Sequence, residues 1–126
     1  MRKIATMTAA LMFMLTLSTG AAFAALVEGN NNDNTLFGTP RADTIEAYGG
    51  EDLVIGLKGK DRIYGGKGQD RLFGGYGDDH IVSRDLNPRG IGQRDVVNCG
   101  PGHDTFVADL EDRVRDNCEE GSVIGS

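Results

Sequence analysis

A nine-residue period in the middle of the chain is the sequence feature that most restricts its fold. From Gly29 to Val82 the sequence divides into six consecutive blocks without an insertion: GNNNDNTLF, GTPRADTIE, AYGGEDLVI, GLKGKDRIY, GGKGQDRLF and GGYGDDHIV. Glycine concentrates at positions one, two and four, position six is Asp or Asn, and position eight is always a branched aliphatic residue. Self-similarity at a short fixed period predicts a repeat architecture.

The last three residues of each block predict a short β-strand. Side chains alternate along a strand, so position eight faces an interior while positions seven and nine face outward. The glycine-rich residues before them predict a turn, because glycine permits positive φ and close backbone approach. Two blocks then form one coil with a strand on each side, and each block stacks on the next block but one at a spacing of about 4.8 Å. We therefore expect an all-β parallel β-roll, which is a solenoid of glycine-rich nonapeptide repeats.

Position-six side chains of stacked blocks should lie above one another in this coil. Calcium takes about six to eight hard oxygen ligands, from carboxylates and backbone carbonyls alike. We expect up to four Ca²⁺ sites, formed by Asn34 with Asp52, Asp43 with Asp61, Asp52 with Asp70, and Asp61 with Asp79. The site of Asn34 should be the weakest, because an amide brings no charge. The glycine-rich turns would supply carbonyl ligands around Gly50, Gly59, Gly66, Gly68, Gly75 and Gly77.

The blocks GGKGQDRLF and GGYGDDHIV match the pattern G-G-x-G-x-D-x-U-x. They resemble the RTX, or haemolysin-type, calcium-binding repeat, and this resemblance implies a parallel β-roll that binds Ca²⁺. The earlier blocks match less closely: Asn34 replaces the Asp of the first block, and Ala47 and Tyr48 replace two glycines of the third. The segment DVVNCGPGHDTFVADLEDRVRDNCE looks similar to the C-terminal portion of small calcium-binding repeat proteins exported by actinobacteria.

The first 24 residues predict a secretory signal peptide, and so a secreted, extracellular protein. Arg2 and Lys3 precede the apolar stretch Met7–Leu17, and Ala22-Phe23-Ala24 forms a small-x-small cleavage site. A retained membrane anchor is the alternative, although this stretch is short for a spanning helix of about 20 residues. Without the peptide, 11 basic and 19 acidic residues leave a formal net charge of −8, which disfavours nucleic acid as a partner.

The composition leaves the state of the metal-free chain open. Of the 19 glycines, 18 follow residue 24, and glycine loses the most backbone entropy on folding. A chain this small and acidic usually needs a metal, disulfides or a partner to fold. A disordered acidic tract is the alternative to a roll, but disorder does not require an aliphatic residue at position eight of every block. A chain that is disordered without calcium and ordered with it satisfies both interpretations.

The repeat breaks after Val82 and resumes seven residues later. The blocks GIGQRDVVN and CGPGHDTFV then put Asp95 and Asp104 at position six, where we expect them to be further Ca²⁺ ligands. If the break stands in for one block, Asp95 lies above Asp79. We divide the chain into a signal peptide (1–24), a short segment (25–28), six calcium-binding repeats (29–82), an interruption (83–89), and degenerate repeats with a C-terminal cap (90–126).

Two cysteines lie near the C-terminus. Cys99 and Cys118 are 19 residues apart, which is one coil plus one residue, so they should lie on adjacent coils. A spacing of about 4.8 Å falls within the Cα–Cα range of a disulfide. In an exported protein this spacing predicts that the two residues are bonded.

No catalytic motif is found in the sequence, and we expect no enzyme. Two alternatives stay open, an extracellular adhesion or matrix module and the repeat portion of a secreted hydrolase or toxin. Position nine of alternate blocks holds Phe37, Ile55 and Phe73, which should form an apolar ladder on one outer sheet face. Such a ladder is either a contact surface for self-association or for a surface partner, or local stacking that stabilises the sheet.

Overall fold

The structure, a computed structural model, describes residues 24–85 and 93–124, which form a parallel β-solenoid of about five turns. The signal peptide assigned to residues 1–24 lies outside the described residues except for its last one. Eleven strands follow one another: β1 (Leu26–Asn30), β2 (Thr35–Phe37), β3 (Thr44–Tyr48), β4 (Leu53–Ile55), β5 (Arg62–Tyr64), β6 (Arg71–Phe73), β7 (His80–Val82), β8 (Val96–Asn98), β9 (Thr105–Asp109), β10 (Arg113–Val114) and β11 (Glu120–Ile124).

The strands alternate between two parallel sheets. One sheet has the order β1-β3-β5-β7-β9-β11 and the other β10-β8-β6-β4-β2, so each strand pairs with the next strand but one. Val54 pairs with Leu36 on one side and with Leu72 on the other, as position eight of stacked blocks should. The 18-residue coil is therefore confirmed, and so is the all-β parallel β-roll.

The core lies between the two sheets, and each strand from β2 to β8 contributes one branched aliphatic side chain to it. Its centre is the position-eight column, whose members in the strands β2 to β8 are at most 1 % exposed: Leu36, Ile45, Val54, Ile63, Leu72, Ile81 and Val97. Branched aliphatic residues fit this place because both sheets are buried on their inner faces. Positions six and one also point inward, so a column of polar side chains and a column of small residues flank the aliphatic one.

The backbone favours glycine at positions two and four of the third to sixth blocks, where φ is positive. Gly66 and Gly68 have φ of 78° and 110°, and the corresponding Gly75 and Gly77 have 88° and 106°. A Cβ at Gly66 would overlap the carbonyl oxygen of Tyr48 in the stacked turn. That same oxygen accepts a hydrogen bond from the Lys67 N–H at 2.8 Å. The turns therefore stack at a distance that a side chain at these positions would prevent.

The interruption after β7 is an insertion into one turn, so it does not stand in for a block and Asp95 does not lie above Asp79. Val96 pairs with Arg71, and Asp95 accepts a hydrogen bond from the Asp70 N–H at 2.7 Å. It is Asp104 that lies above Asp79. The extra residues replace no block, because β8 pairs directly with β6. Residues 86–92 are outside the described ranges.

The C-terminal coil is joined to the rest of the roll by a disulfide. Cys99 and Cys118 are bonded, with their Cα atoms 5.1 Å apart, which confirms the pairing on adjacent coils. The step from Asp95 to Asp112 is 17 residues instead of 18, yet Asp112 accepts the Asp95 N–H at 2.9 Å, as a position-six residue does. Within residues 24–85 and 93–124 there is no helix with the length and apolar character that a membrane crossing needs.

Candidate metal centres

The position-six side chains form two buried ladders inside the coil. In each stacked pair one carboxylate oxygen, Oδ1, accepts the backbone N–H of the position-six residue in the neighbouring coil. The pairs are Asn34 with Asp52 (2.7 Å), Asp43 with Asp61 (2.8 Å), Asp52 with Asp70 (2.9 Å), Asp61 with Asp79 (2.9 Å), Asp70 with Asp95 (2.7 Å), and Asp79 with Asp104 (2.7 Å). The structure thus brings together all four pairs that the sequence indicates, and two more.

The second oxygen of these carboxylates has no partner. The Oδ2 atoms of six residues are inaccessible to solvent and make no hydrogen bond in the described part of the chain: Asp52, Asp61, Asp70, Asp79, Asp95 and Asp104. These residues are at most 3 % exposed. Burying an ionised oxygen without a partner is costly, because the water that solvated it is not replaced. Each such oxygen therefore requires a proton or a cation.

Burial also changes the acidity of the ladder. Loss of water raises the pKa of Asp61 to about 7, of Asp79 to about 8 and of Asp95 to about 9. The backbone N–H that each carboxylate accepts lowers its pKa in part, and repulsion from the stacked carboxylate raises it further. Protons and cations would therefore compete for the same oxygens near neutral pH.

In the fourth and sixth blocks, the glycine at position one lies beside the free oxygen of the same block. A methyl group on Gly56 would lie 2.6 Å from Asp61 Oδ2 and 2.5 Å from the carbonyl oxygen of Gly74. The same arrangement recurs at Gly74, whose added methyl group would lie 2.6 Å from Asp79 Oδ2 and 2.7 Å from the Cys99 carbonyl oxygen. A carboxylate and a backbone carbonyl from the next coil therefore face one small space. This donor set fits Ca²⁺.

The first two blocks differ, because the protein itself occupies their position-six oxygens. Asp43 Oδ2 accepts the Thr39 N–H at 2.6 Å, and the Thr39 hydroxyl bonds to the same carboxylate. Asn34 Oδ1 accepts the Asn30 N–H at 2.8 Å. In these first two turns, which are described in full, no residue between Asn30 and Ala42 has positive φ. Asp43 and Asn34 are thus the weakest members of the sequence-derived ligand set.

The six glycines of that set all lie in turns next to the ladders. Gly50, Gly59, Gly66, Gly68, Gly75 and Gly77 each have positive φ. The Gly50 carbonyl oxygen points at Gly68 in the stacked turn, and the Gly59 carbonyl oxygen points at Gly77 in the same way. The structure therefore places these carbonyl groups between stacked turns. Their role as ligands stays a prediction.

Few metal-ligating side chains lie together at any one candidate centre. In the ranges that the structure describes, no three Asp, Glu, His or Cys side chains are grouped so as to hold a metal ion. A centre in the ladders would therefore combine one or two carboxylates with backbone carbonyls. Such all-oxygen sets suit Ca²⁺ and Mg²⁺ rather than Zn²⁺ or Cu²⁺, which favour nitrogen and sulfur.

Sequence reasoning missed two buried carboxylates outside the repeat positions, Asp85 and Asp109. Both are buried, with exposed fractions of 6 % and 7 %. The only signal that could have indicated them is their place, two or three residues after the position-nine residues Val82 and Val107. A third carboxylate, Asp112, begins the triplet Asp112-Arg113-Val114, which repeats the order of position six to position eight one residue out of register.

A parallel β-solenoid with paired carboxylates buried under glycine-rich turns defines the class of calcium-binding β-rolls. A family model described as the RTX calcium-binding nonapeptide repeat, in four copies, matches residues 28–63 and 55–85. Residues 28–85 of this chain therefore belong to the RTX calcium-binding repeat family. Comparison with curated proteins and with solved structures gave no match.

Proposed function

We propose that this chain is a secreted, non-catalytic β-roll that folds when it binds several Ca²⁺ ions. The observation that carries the proposal is the set of six buried Oδ2 atoms without partners. A folded, metal-free roll at neutral pH has to bury these charges or protonate them. The penalty for an uncompensated buried ion is several kcal/mol, and the net stability of a domain is only about 5–15 kcal/mol.

Calcium binding would offset this penalty and so contribute directly to the free energy of folding. A ligand that binds only the folded state shifts the folding equilibrium in proportion to the logarithm of its concentration. Low calcium inside the cell would leave the acidic chain unfolded for export through the signal peptide at residues 1–24. High calcium outside would then drive folding. In this proposal residues 29–82, together with Asp95 and Asp104, bind the ions, and the rest of residues 90–126 caps the roll.

The proposal is tested by circular dichroism of residues 25–126 during a calcium titration, with magnesium as the control. We expect a spectrum without β-structure in EDTA and a cooperative gain of β-structure with calcium. Magnesium should have a much weaker effect, because it prefers ideal octahedral geometry and keeps its water. A spectrum that is already β-rich in EDTA and does not change with calcium would contradict coupled folding.

A second candidate function is self-association through the apolar ladder. Phe37 pairs with Ile55, and Ile55 pairs with Phe73, so the ladder exists on the outer face of the second sheet. Phe37 is 42 % exposed. Exposed charges beside the ladder change sign along the roll, from Asp33 and Glu51 at one end to Arg71, Arg94 and Arg113 at the other. Two copies packed antiparallel would place opposite charges together.

The triple variant F37T/I55T/F73T tests this surface by sedimentation velocity in calcium. Threonine keeps the β-propensity of the strands while it removes the apolar area. If the ladder is a contact surface, the wild-type protein should associate with increasing concentration and the variant should stay monomeric. The control Y64T/V82T changes the opposite sheet face and should behave like the wild type. A wild-type protein that is monomeric at all concentrations would contradict self-association.

A further inference from the structure

A group of carboxylates lies where the inserted segment leaves the coil, away from the position-six ladders. Asp85 follows β7, and Asp109 ends β9 in the same sheet. Asp112, in the short turn that follows β9, is the third member. Asp85 and Asp109 are both more than nine-tenths buried. None of the three was part of the sequence-derived ligand set.

Hydrogen bonds join the three residues to one another. The Asp85 N–H donates to Asp109 Oδ2 at 2.8 Å, and the Asp109 N–H donates to Asp112 Oδ2 at 2.8 Å. Asp112 also accepts the Asp95 N–H on Oδ1 and the Ser83 hydroxyl on Oδ2, at 2.9 and 2.7 Å. Both oxygens of Asp112 are therefore occupied. Asp112 fixes the position of Asp109 and is not free to bind a ligand.

Asp85 has one oxygen that the described protein leaves without a partner. Its Oδ2 accepts the Gln93 N–H at 2.6 Å, which closes the base of the insertion. Its Oδ1 is inaccessible to solvent and makes no hydrogen bond in the described part of the chain. Burial raises the pKa of Asp85, and repulsion from Asp109 and Asp112 raises it further. Backbone N–H groups of Gln93 and Gly68 lower the pKa of Asp85 only in part. This buried oxygen thus lies between carboxylates, and no cationic side chain acts on it.

We propose that Asp85 and Asp109 bind a hard divalent cation, Ca²⁺, at a site separate from the repeat ladders, with Asp112 as a positioning residue. The ion would join the end of β7 to the end of β9. It would thereby fix the base of the insertion to the C-terminal coil. Carboxylate oxygens are ligands that Ca²⁺ accepts, and water can complete its coordination. The choice of ion rests on the proposed function, because it assumes that this protein meets calcium where it folds.

The test is the number of Ca²⁺ ions bound per chain, measured by equilibrium dialysis on residues 25–126. We expect Asp85→Asn and Asp109→Asn each to bind one ion fewer than the wild type. The double variant should also bind one ion fewer, and not two, because both residues belong to one site. The matched control is Asp116→Asn, which removes the same charge from an exposed position near the same end. It should bind as many ions as the wild type.

The asparagine variants separate binding from a merely structural role. An asparagine at residue 85 can still accept the Gln93 N–H through its amide oxygen, so dichroism in excess calcium should show an unchanged roll. Wild-type stoichiometry in both single variants, or loss of two ions in the double variant, would overturn the proposed site. That result would leave the proposed function intact as long as the wild type binds several ions. A wild type that binds no calcium would instead refute the proposed function itself.

Discussion

At the scale of the single residue, the position-six aspartate explains most of the behaviour that we expect. Its Oδ1 continues the hydrogen-bond ladder at the point where strand becomes turn, for example from the Asp43 N–H to Asp61. Its Oδ2 is left for a cation. An asparagine can perform the first role but contributes no charge to the second. Position six therefore combines a requirement of the fold with the proposed chemistry of the site.

The substitution Asp61→Asn separates these two roles. We expect the roll to form, but at a calcium midpoint raised roughly tenfold, which corresponds to about 1.4 kcal/mol. The control Asp78→Asn removes the same charge from an exposed residue next to Asp79. An asparagine at residue 78 can still accept the His103 backbone N–H. The midpoint of this control in a dichroism titration should stay close to that of the wild type. Equal midpoints for the two variants would show that Asp61 is not a ligand.

The substitution Leu57→Gly should stabilise the roll. Leu57 has a φ of 76° at position two, where Gly66 and Gly75 have 78° and 88°. The left-handed conformation costs a residue other than glycine about 1–2 kcal/mol, whereas the extra flexibility of glycine costs about 0.5–1 kcal/mol. The expected gain is up to about 1 kcal/mol, measured by urea unfolding in calcium. The reverse change Gly75→Leu should destabilise, because its Cβ would overlap the Leu57 carbonyl oxygen. A Leu57→Gly variant that is less stable than the wild type would contradict the inference that the Leu57 backbone is strained.

At the scale of the element, the strands and their stacking follow from the sequence, but the turns do not follow completely. The aliphatic residue at position eight of every block predicts each core strand, and an 18-residue coil predicts that Val54 stacks on Leu36. The place of the interruption stayed open because its seven residues approach the length of a block, and period alone does not distinguish a shortened block from a loop. The hydrogen bond between Asp85 and the Gln93 N–H decides the matter, and it depends on tertiary contacts.

The candidate sites were predictable to a similar extent. The pairs of stacked aspartates follow from the period, because each member is the same position of a block. The bonds from Thr39 that occupy the Asp43 carboxylate do not follow, because they depend on the conformation of one particular turn. Asp109 was also missed, since it lies on no repeat position.

The disulfide should hold the C-terminal coil in place. It links residues 19 apart, and a loop of this length stabilises by about 3 kcal/mol in the chain-entropy model. In the double variant C99A/C118A we expect faster amide hydrogen exchange in β10 and β11 and little change in β2 to β7. Alanine at residue 99 keeps a small apolar side chain in a buried place. Equal protection of β10 in both proteins would mean that the bond does not restrain this coil.

At the scale of the whole molecule, stability without metal should depend on pH in the direction opposite to that of an ordinary acidic protein. Burial raises the pKa of Asp52 and Asp61 to about 7 and of Asp70 and Asp79 to about 8, from 3.8. Between about pH 4 and pH 8 the folded chain therefore binds more protons than the unfolded chain. The free energy of unfolding then falls as pH rises, by about 1.4 kcal/mol per pH unit for each such group.

This linkage predicts more β-structure at pH 4 than at pH 8 when the chain is in EDTA. In excess calcium the order should reverse, because protons displace the metal from the carboxylates. Far-ultraviolet dichroism across this pH range, with and without calcium, measures both effects. A metal-free chain that gains structure as pH rises would be inconsistent with buried, uncompensated carboxylates.

The central claim is that calcium converts an expanded chain into the roll, and small-angle X-ray scattering of residues 25–126 measures this most directly. In EDTA at neutral pH the radius of gyration should approach the value of about 30 Å for an unfolded chain of this length. In millimolar calcium it should fall towards about 13 Å, the value for a compact domain. A compact particle of the same radius in both solutions would contradict the account.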